Sequence, residues 1–390
     1  MIYLDNNATT AVAPEVLEAM KPYLSNVFGN PSSSHSLGRR MKQAVEQARA
    51  EVASLIGAAE TSEIVFTSCG SESDNWAIRG VLAKRPDKKR IVTTVVEHEA
   101  VRNVCHLLEN EGYEVTRLGV DSNGELDLET LRAAVLPDTA IVSIMLANNE
   151  TGVLFPMNEI GQIIRENSDA IFHVDGVQAV GKVPIDLKKT EVDLFALSGH
   201  KFHAPQGIGA LYVRKGVELP SLIVGGGQED GRRAGTSAVP NIVALGAACK
   251  LAHTDNDHTR IEAMRNQLED GILKSIPNAH LNGTANRLKR LPNTSNISFA
   301  CVDGQSILAH LDNEGIYVST GSACHSSTHE SSPTLRAMNV PYSLAQGSIR
   351  FSVGRYNTEA EIKTTLQVLP EIISKLAEMS PYQKELSATK

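Results

Sequence analysis

The segment Val192-Asp193-Leu194-Phe195-Ala196-Leu197-Ser198-Gly199-His200-Lys201 predicts a short buried β-strand that ends in a polar turn. A short apolar run bounded by a glycine-containing turn is typical of a strand in a parallel sheet with helices on both faces. Ligands of such sheets bind just beyond the carboxyl ends of the strands. We therefore expect Lys201 to face a cofactor or a substrate.

A second apolar run, at residues 170–174, ends at Asp175, and Gln178 follows closely. Two neighbouring strands would then deliver a carboxylate and an amine to the same edge of the sheet. This pair suits an aldehyde cofactor with a basic ring nitrogen, of which pyridoxal 5'-phosphate (PLP) is the obvious candidate. Either residue alone is more often a solvated loop residue or a cap, so the hypothesis depends on what the other strand ends carry.

Strands alternate with amphipathic helices from about residue 15 to residue 250, which indicates an α/β fold with a mostly parallel sheet. The heptad-like spacing of apolar residues predicts a helix over Ser36–Ile56 that ends at Gly57. The polar segment 253–258 resembles a domain boundary. Further predicted elements are strands at 64–67, 91–96, 140–145, 294–300 and 348–353, and a last helix opened by a capping box of Thr358 and Glu361.

The length of 390 residues favours two domains rather than a single core. We expect a large PLP-binding domain at 15–256. Residues 1–14 and 257–390 would form a smaller α+β domain that carries a mobile loop around Cys324.

Composition excludes several classes of protein. No apolar run approaches 18 residues, which argues against a membrane span. The formal net charge of −8 and the lack of a long basic stripe argue against a nucleic-acid partner. The first residues show no signal segment, so we expect a cytoplasmic protein. Five cysteines without a C-x-x-C pair argue against a disulfide framework or a zinc site.

The cysteines differ in their surroundings. Cys105 and Cys249 lie on apolar helical stripes, and Cys301 is expected on the buried face of a strand. Cys324 lies in a small, polar segment without an apolar neighbour, which is unusual for a free cysteine and suggests a chemical role. A metal site made of Cys324, His325 and His329 is a weak alternative, since a fourth ligand is missing.

Other predicted strand ends also carry suitable groups. The Gly70-Ser71 turn opens a helix whose free N–H groups suit a phosphate, and Ser198 and His200 could add donors. His98 follows another strand, where an imidazole could stack on a ring or carry protons. Asn149 could bind a phenolic oxygen, although the Asn-Asn-Glu-Thr-Gly sequence around it also favours a turn. Five compatible strand ends are much less expected by chance than one.

Motifs along nearly the whole chain resemble the NifS/IscS group of cysteine desulfurases, PLP enzymes of fold type I that are related to class V aminotransferases, and the wording around Cys69 and Ala147 is closest to NifS. They are YLDNNATT at 3–10, FGNPSS at 28–33, FTSCGSESD at 66–74, EH at 97–98, ANNETG at 147–152, HVDGVQ at 173–178, SGHK at 198–201, GGGQE at 225–229, RAGT at 233–236, GSAC at 321–324 and IRFS at 349–352. Ser71 stands where the family commonly has threonine.

The resemblance implies roles for individual residues. Lys201 would bind the aldehyde of PLP and move the substrate's Cα proton, Asp175 would pair with the ring nitrogen, and Gln178 would reach the phenolic oxygen. His98 would stack on the ring and carry protons. The phosphate would be held by Gly70, Ser71, Ser198 and His200, together with Thr236 of the other subunit of a homodimer.

The same resemblance implies that Arg350 and Asn149 bind the carboxylate of L-cysteine. Cys324 would be the nucleophile that takes sulfur as a persulfide, leaving alanine. The persulfide would pass to an iron–sulfur scaffold protein, for nitrogenase or for general cluster assembly, and only there would Cys324 contact a metal, transiently. Two other classes stay open: another fold-type-I PLP enzyme, such as a selenocysteine lyase or an aminotransferase, and a non-catalytic sulfur carrier.

Overall fold

The computed structural model describes residues 1–254, 257–320 and 332–379. Its strands, in chain order, are β1 (Ile2–Tyr3), β2 (Ile64–Thr67), β3 (Arg90–Thr94), β4 (Glu114–Leu118), β5 (Thr139–Ser143), β6 (Ile171–Asp175), β7 (Leu194–Ser198), β8 (Gly209–Val213), β9 (Ala279–Asn282), β10 (Thr294–Phe299), β11 (Ile316–Tyr317), β12 (Ser319–Thr320) and β13 (Ser348–Ser352).

Helices lie between most of these strands. They are α1 (Pro14–Ser25), α2 (Ser36–Ile56), α3 (Gly70–Lys84), α4 (Glu99–Asn110), α5 (Leu128–Ala134), α6 (Met157–Asn167), α7 (Val239–Thr254), α8 (His258–Ser275), α9 (Gly304–Asn313), α10 (Pro333–Ala337), α11 (Tyr342–Ala345) and α12 (Glu359–Met379).

The large sheet has the strand order β2-β8-β7-β6-β5-β3-β4. Only β8 runs opposite to the other strands, since it pairs antiparallel with both β2 and β7. The carboxyl ends of β2, β3, β5, β6 and β7 therefore meet at one edge. The expected fold class, α/β with a mostly parallel sheet between helices, is confirmed.

Helix α2 shows why the sequence pattern was informative. It has the predicted bounds, and it ends where Gly57 adopts a left-handed conformation with φ 63°. The buried side of the helix faces α7 so closely that a Cβ on Gly246 would lie 2.7 Å from Cα of Ala48. Helix α7 therefore needs glycine at this position for the two helices to pack.

A second, antiparallel sheet with the order β12-β13-β10-β9 has its own apolar core. The amino terminus joins this part of the chain, because β1 pairs with β11 and the N–H of Asn6 donates to the carbonyl of Ser352 at 3.2 Å. The capping box is confirmed by reciprocal bonds between Thr358 and Glu361. The domain bounds at 15 and 257 stay predictions.

Sequence analysis was wrong about Cys301. Strand β10 ends at Phe299, and Cys301 follows in a turn with φ 61°, partly exposed. The alternation of Ile297, Phe299 and Cys301 continued past the point where the backbone turns. Cys105 and Cys249 are buried as expected. In the described part of the chain, every helix is too short or too polar to span a membrane.

Candidate active site

A pocket of about 220 Å³ lies at the carboxyl edge of the large sheet. It brings together all of the expected cofactor residues except Thr236. Its lining comprises Cys69, Gly70, Ser71, Asp74, His98, Met145, Ala147, Asn149, Asp175, Val177, Gln178, Ser198, His200 and Lys201.

Asp175 is the last residue of β6 and is only 5% exposed. Its Oδ1 accepts the N–H of Val177 at 2.9 Å. Burial raises the pKa of the carboxyl, while His98, the Val177 N–H and Lys201 lower it. Among the described residues no lysine or arginine forms an ion pair with Asp175. The pocket therefore offers a buried carboxyl to which a cationic ring nitrogen could bind.

Lys201 lies in the short 3₁₀ turn that follows β7. Its Nζ donates to the carbonyl oxygens of Asn7 and Ala8, at 2.7 and 2.9 Å. The next two residues of the amino-terminal segment hold the same turn: Thr9 Oγ1 is 3.1 Å from Nδ1 of His200, and the N–H of Thr10 donates to the His200 carbonyl. The amino-terminal segment thus positions the amine.

His200 lies in the same turn, and Ser198 precedes it. Burial, with Lys201 and Lys182 nearby, lowers the pKa of His200 to about 4. The ring is therefore neutral at pH 7 and can act as a hydrogen-bond partner rather than as a cation.

His98 caps the amino terminus of α4, where its Nδ1 accepts the N–H of Ala100 at 3.2 Å. Burial lowers the pKa of His98, although Asp175 opposes the shift. Because Nδ1 is an acceptor, the neutral ring carries its proton on Nε2. In this tautomer His98 can donate a hydrogen bond from Nε2, but it cannot accept a proton there.

The opposite end of the pocket is formed by the start of α3. A Cβ on Gly70 would lie 2.7 Å from Cγ2 of Val177, so a larger residue would push into the pocket wall. Glu72, in the first turn, would repel an anion. Arg233 donates two hydrogen bonds to the Glu72 carboxylate, at 2.8 and 3.0 Å. Burial raises the pKa of Glu72, but the hydrogen bonds from Arg233 and Ser68 and the charge of Arg233 outweigh it, so the pKa is lowered. The helix terminus is therefore available for a phosphate.

Arg350, on β13, lies next to the pocket without lining it. Nη1 donates to the carbonyl of Asn149 at 2.9 Å, and Nη2 donates to Oδ1 of Asp5 at 2.7 Å. Arg350 is 7% exposed, and its buried Nε has no hydrogen-bond partner among the described residues. The guanidinium thus retains a donor for a carboxylate beside Asn149.

Besides Arg350, one expected site residue within the described part of the chain, Thr236, does not line this pocket. Thr236 is exposed and lines a separate pocket of about 70 Å³ together with Ser68 and Gln228. Cys324 lies outside the described residues, as do His325 and His329.

The sequence analysis assigned no role to two buried acids, Asp74 in the pocket lining and Glu97 next to His98. Burial raises the pKa of Glu97 to about 8, and burial together with Asp175 and Glu97 raises that of Asp74 well above its usual value. Asp74 Oδ1 and His173 Nε2 lie 3.4 Å apart, and neither has another partner. Burial lowers the pKa of His173 to about 3. Asp74 and His173 belong to the motifs quoted above, but no spacing rule identified them as site residues.

Asn7 and Lys182 were also missed. They bind Gln178 and each other, and Asn7 reaches Lys201 as well. The sequence signal that could have linked Lys182 to the site was its position four residues after Gln178, an expected site residue.

Residues 2–365 match the family model "Aminotransferase class-V". The chain is 54% identical to "Cysteine desulfurase 2" of Trichormus variabilis over 99% of this chain and 96% of that protein. It is 47% identical to "Cysteine desulfurase NifS" of Azotobacter vinelandii, over 98% and 94%. The chain belongs to the class V aminotransferase family, in its cysteine desulfurase group.

Solved structures agree with this assignment. A "NIFS-LIKE PROTEIN" that is 40% identical superposes with a TM-score of 0.90 and covers 96% of this chain and 100% of its own. The expected fold, that of PLP enzymes of fold type I, is thus confirmed.

Cysteine desulfurases are PLP-dependent, and the residues of the pocket fit this cofactor. The buried carboxyl of Asp175 forms no ion pair with any described lysine or arginine and suits the protonated ring nitrogen. The amine of Lys201 suits the aldehyde. The start of α3, cleared by Gly70 and with Glu72 neutralised, suits the phosphate.

Proposed function

We propose that this protein is a PLP-dependent cysteine desulfurase that converts L-cysteine to L-alanine and keeps the sulfur as a persulfide on Cys324. The observation that carries the proposal is the presence of Asp175 and Lys201 in one pocket, in a chain about half identical to named cysteine desulfurases.

PLP, when bound, supplies an electron-withdrawing ring that makes the substrate's Cα proton acidic. Lys201 would hold the aldehyde, and its Nζ would take the Cα proton of the substrate. The carbonyls of Asn7 and Ala8 hold this nitrogen close to the pocket. Asp175 keeps a proton on the ring nitrogen, because an adjacent carboxylate stabilises the cation.

The substrate carboxylate binds between Arg350 and Asn149. Arg350 already contacts the Asn149 backbone and has an unpartnered Nε. A guanidinium binds a carboxylate with two parallel hydrogen bonds, which orients the amino acid as well as holding it. A substrate without the carboxylate should therefore lose both affinity and turnover.

Sulfur transfer requires the thiolate of Cys324. Its sulfur attacks the substrate sulfur, the S–S bond forms as the substrate C–S bond breaks, and the bonding electrons move to the substrate carbon, which is later protonated to give alanine. A free cysteine has a pKa of about 8.5, so a base must remove its proton. We assign this role to His98, whose Nε2 takes the thiol proton when the ring's own proton lies on Nδ1, which costs the hydrogen bond from the N–H of Ala100.

Two further proposals concern the protein partners of this chain. We propose a homodimer in which Thr236 contributes to the phosphate site of the other subunit. Its exposure, and its position outside this chain's cofactor pocket, support that role. We propose an iron–sulfur scaffold protein as sulfur acceptor, for nitrogenase or for general cluster assembly. The similarity to a protein named NifS supports the nitrogenase pathway over general cluster assembly.

The experiment is alanine formation from L-cysteine by the wild-type holoenzyme, Cys324→Ala and Lys201→Ala, with cofactor absorbance recorded for each. The proposal expects Cys324→Ala to keep its absorbance and lose alanine formation. Lys201→Ala should lose the absorbance of the covalently bound cofactor as well. Alanine formation by Cys324→Ala at the wild-type rate would instead indicate a PLP enzyme that cleaves the C–S bond without this cysteine, such as a selenocysteine lyase. No alanine formation by a wild type that carries the cofactor would favour an aminotransferase. Cofactor absorbance absent from the wild type would favour a non-catalytic carrier.

A further inference from the structure

Lys182 is a half-buried lysine behind the pocket that the proposed chemistry does not use. Its Nζ donates to Oε1 of Gln178 at 2.9 Å and to Oδ1 of Asn7 at 3.0 Å. Gln178 lines the pocket, whereas Lys182 does not. Any effect of Lys182 on a ligand in the pocket is therefore transmitted through these two amides or through its charge.

The two hydrogen bonds fix how the amide of Gln178 is turned. A glutamine amide can rotate by half a turn and exchange its oxygen with its nitrogen, since both orientations have nearly the same shape. Lys182 provides a donor on one side, which selects the oxygen. On the other side, Gln178 Nε2 donates to the carbonyl of Asn7 at 2.9 Å. Both contacts favour the same orientation.

Asn7 is itself held in one orientation. Its Oδ1 accepts from Lys182 and from Nδ2 of Asn293, while its Nδ2 donates to Oγ1 of Thr294 at 2.8 Å. The carbonyl of Asn7 accepts from both Gln178 and Lys201. Residues of the second sheet region thus fix a backbone oxygen that positions two groups of the pocket.

We propose that Lys182 is a positioning residue that makes Gln178 present an N–H, and not a carbonyl, to the phenolic oxygen of the cofactor. This inference rests on the proposed cofactor chemistry. The oxygen of the Gln178 amide is taken by Lys182, and one amide hydrogen is taken by Asn7. The remaining hydrogen is the group that Gln178 can offer the pocket, which suits an anionic phenolate and not a protonated phenol.

The charge state of Lys182 does not alter this geometry. Burial, together with Lys201 and Arg350, lowers the pKa of Lys182 well below its usual value. A neutral amine still has two hydrogens, one for each of the two amide oxygens. A carbonyl oxygen turned toward a phenolate would be repelled, so loss of the orientation favours the protonated form of the chromophore.

The test is the pH midpoint of the visible absorbance change of the bound cofactor in the holoenzyme. Lys182→Met should raise the midpoint by about half a unit to one unit, the effect of losing one hydrogen bond to the deprotonated form. Lys182→Gln, which keeps a polar side chain but enforces neither orientation, should also raise it. It provides a second variant if Lys182→Met does not fold. Lys188→Met is the matched control, because Lys188 is exposed near Asp186, and it should leave the midpoint unchanged.

A double-mutant cycle separates the hydrogen bond from direct charge effects. Gln178→Met should raise the midpoint, and adding Lys182→Met should raise it little further, because Lys182 acts through Gln178. Additive shifts, no shift or a downward shift in Lys182→Met would overturn the proposal. These readouts need no turnover, so they are separate from the Cys324→Ala test of the proposed function.

Discussion

Arg350 donates from Nη2 to Oδ1 of Asp5 at 2.7 Å. Asp5 precedes the Asn7 segment and its backbone bridges to Ser352. The guanidinium that we assign to the substrate carboxylate is therefore already paired with a carboxylate of the chain. Binding of L-cysteine must either displace Asp5 or use the remaining donors of Arg350.

The first prediction follows from this pair. In Asp5→Asn the competing negative charge is removed, so the KM for L-cysteine should fall about three- to tenfold, the equivalent of one hydrogen bond, with a smaller change in kcat. Steady-state kinetics measure both constants. Asp312→Asn, at an exposed position of α9, is the control and should change neither. A rise in KM for Asp5→Asn would show instead that Asp5 orients Arg350 for the substrate.

The second prediction concerns the phosphate end of the pocket. Arg233 neutralises Glu72 in the first turn of α3. Arg233→Gln would leave Glu72 without its guanidinium partner in the first turn of α3, the helix whose start we assign to the phosphate, so affinity for PLP should fall about tenfold, or ~1.4 kcal/mol. Titration of the apoenzyme with PLP, followed by absorbance, gives the affinity.

The matched control is the double variant Arg233→Gln with Glu72→Gln, which has neither charge. Its affinity should return most of the way to the wild-type value. If the double variant binds as weakly as the single one, Arg233 holds the cofactor by some route other than Glu72.

The third prediction is a pH dependence of stability. Glu97 keeps its proton in the folded chain up to about pH 8, whereas an unfolded glutamate ionises near pH ~4.3. As the pH rises between these values, ionisation favours the unfolded chain, so the folded chain loses stability. Glutamine cannot ionise and is close in shape. Glu97→Gln should therefore stabilise the protein at pH 8 by an amount on the order of a few kcal/mol at most, and much less at pH 5.

Thermal unfolding at the two pH values, at equal cofactor loading, tests this expectation. Oε1 of Glu97 accepts from Thr94 and from the N–H of Met145, and the glutamine oxygen can do the same. Exposed Glu111→Gln is the control. Destabilisation of Glu97→Gln that is greater at pH 8 than at pH 5 would mean that Glu97 is ionised in the folded chain.

The sequence predicted the parts of the site that depend on local pattern. Apolar runs located the strands to within about two residues, and parallel strands bring their carboxyl ends together, so Asp175 and Lys201 could be expected at one edge. Neither strand β8 nor its antiparallel direction was predicted, and an isolated apolar run would not have revealed the direction of the strand. Cys301 was misplaced because alternation does not mark where a strand ends.

Long-range contacts account for the residues that were missed. Asn7 and Lys182 are 175 positions apart, and the Asp5–Arg350 pair spans 345. No local spacing rule connects such positions. Asp74 and His173 were quoted only within motifs, since their burial against each other depends on how α3 packs on the sheet.

The most direct test of the proposed sulfur transfer is mass spectrometry of the holoenzyme after one turnover with L-cysteine and no acceptor or reductant. We predict one additional sulfur atom on the peptide that contains Cys324, with one alanine formed per active site, and no added sulfur on the Cys69, Cys105, Cys249 or Cys301 peptides. Alanine formed while the Cys324 peptide keeps its unmodified mass, or sulfur found on another cysteine in Cys324→Ala, would contradict the proposal.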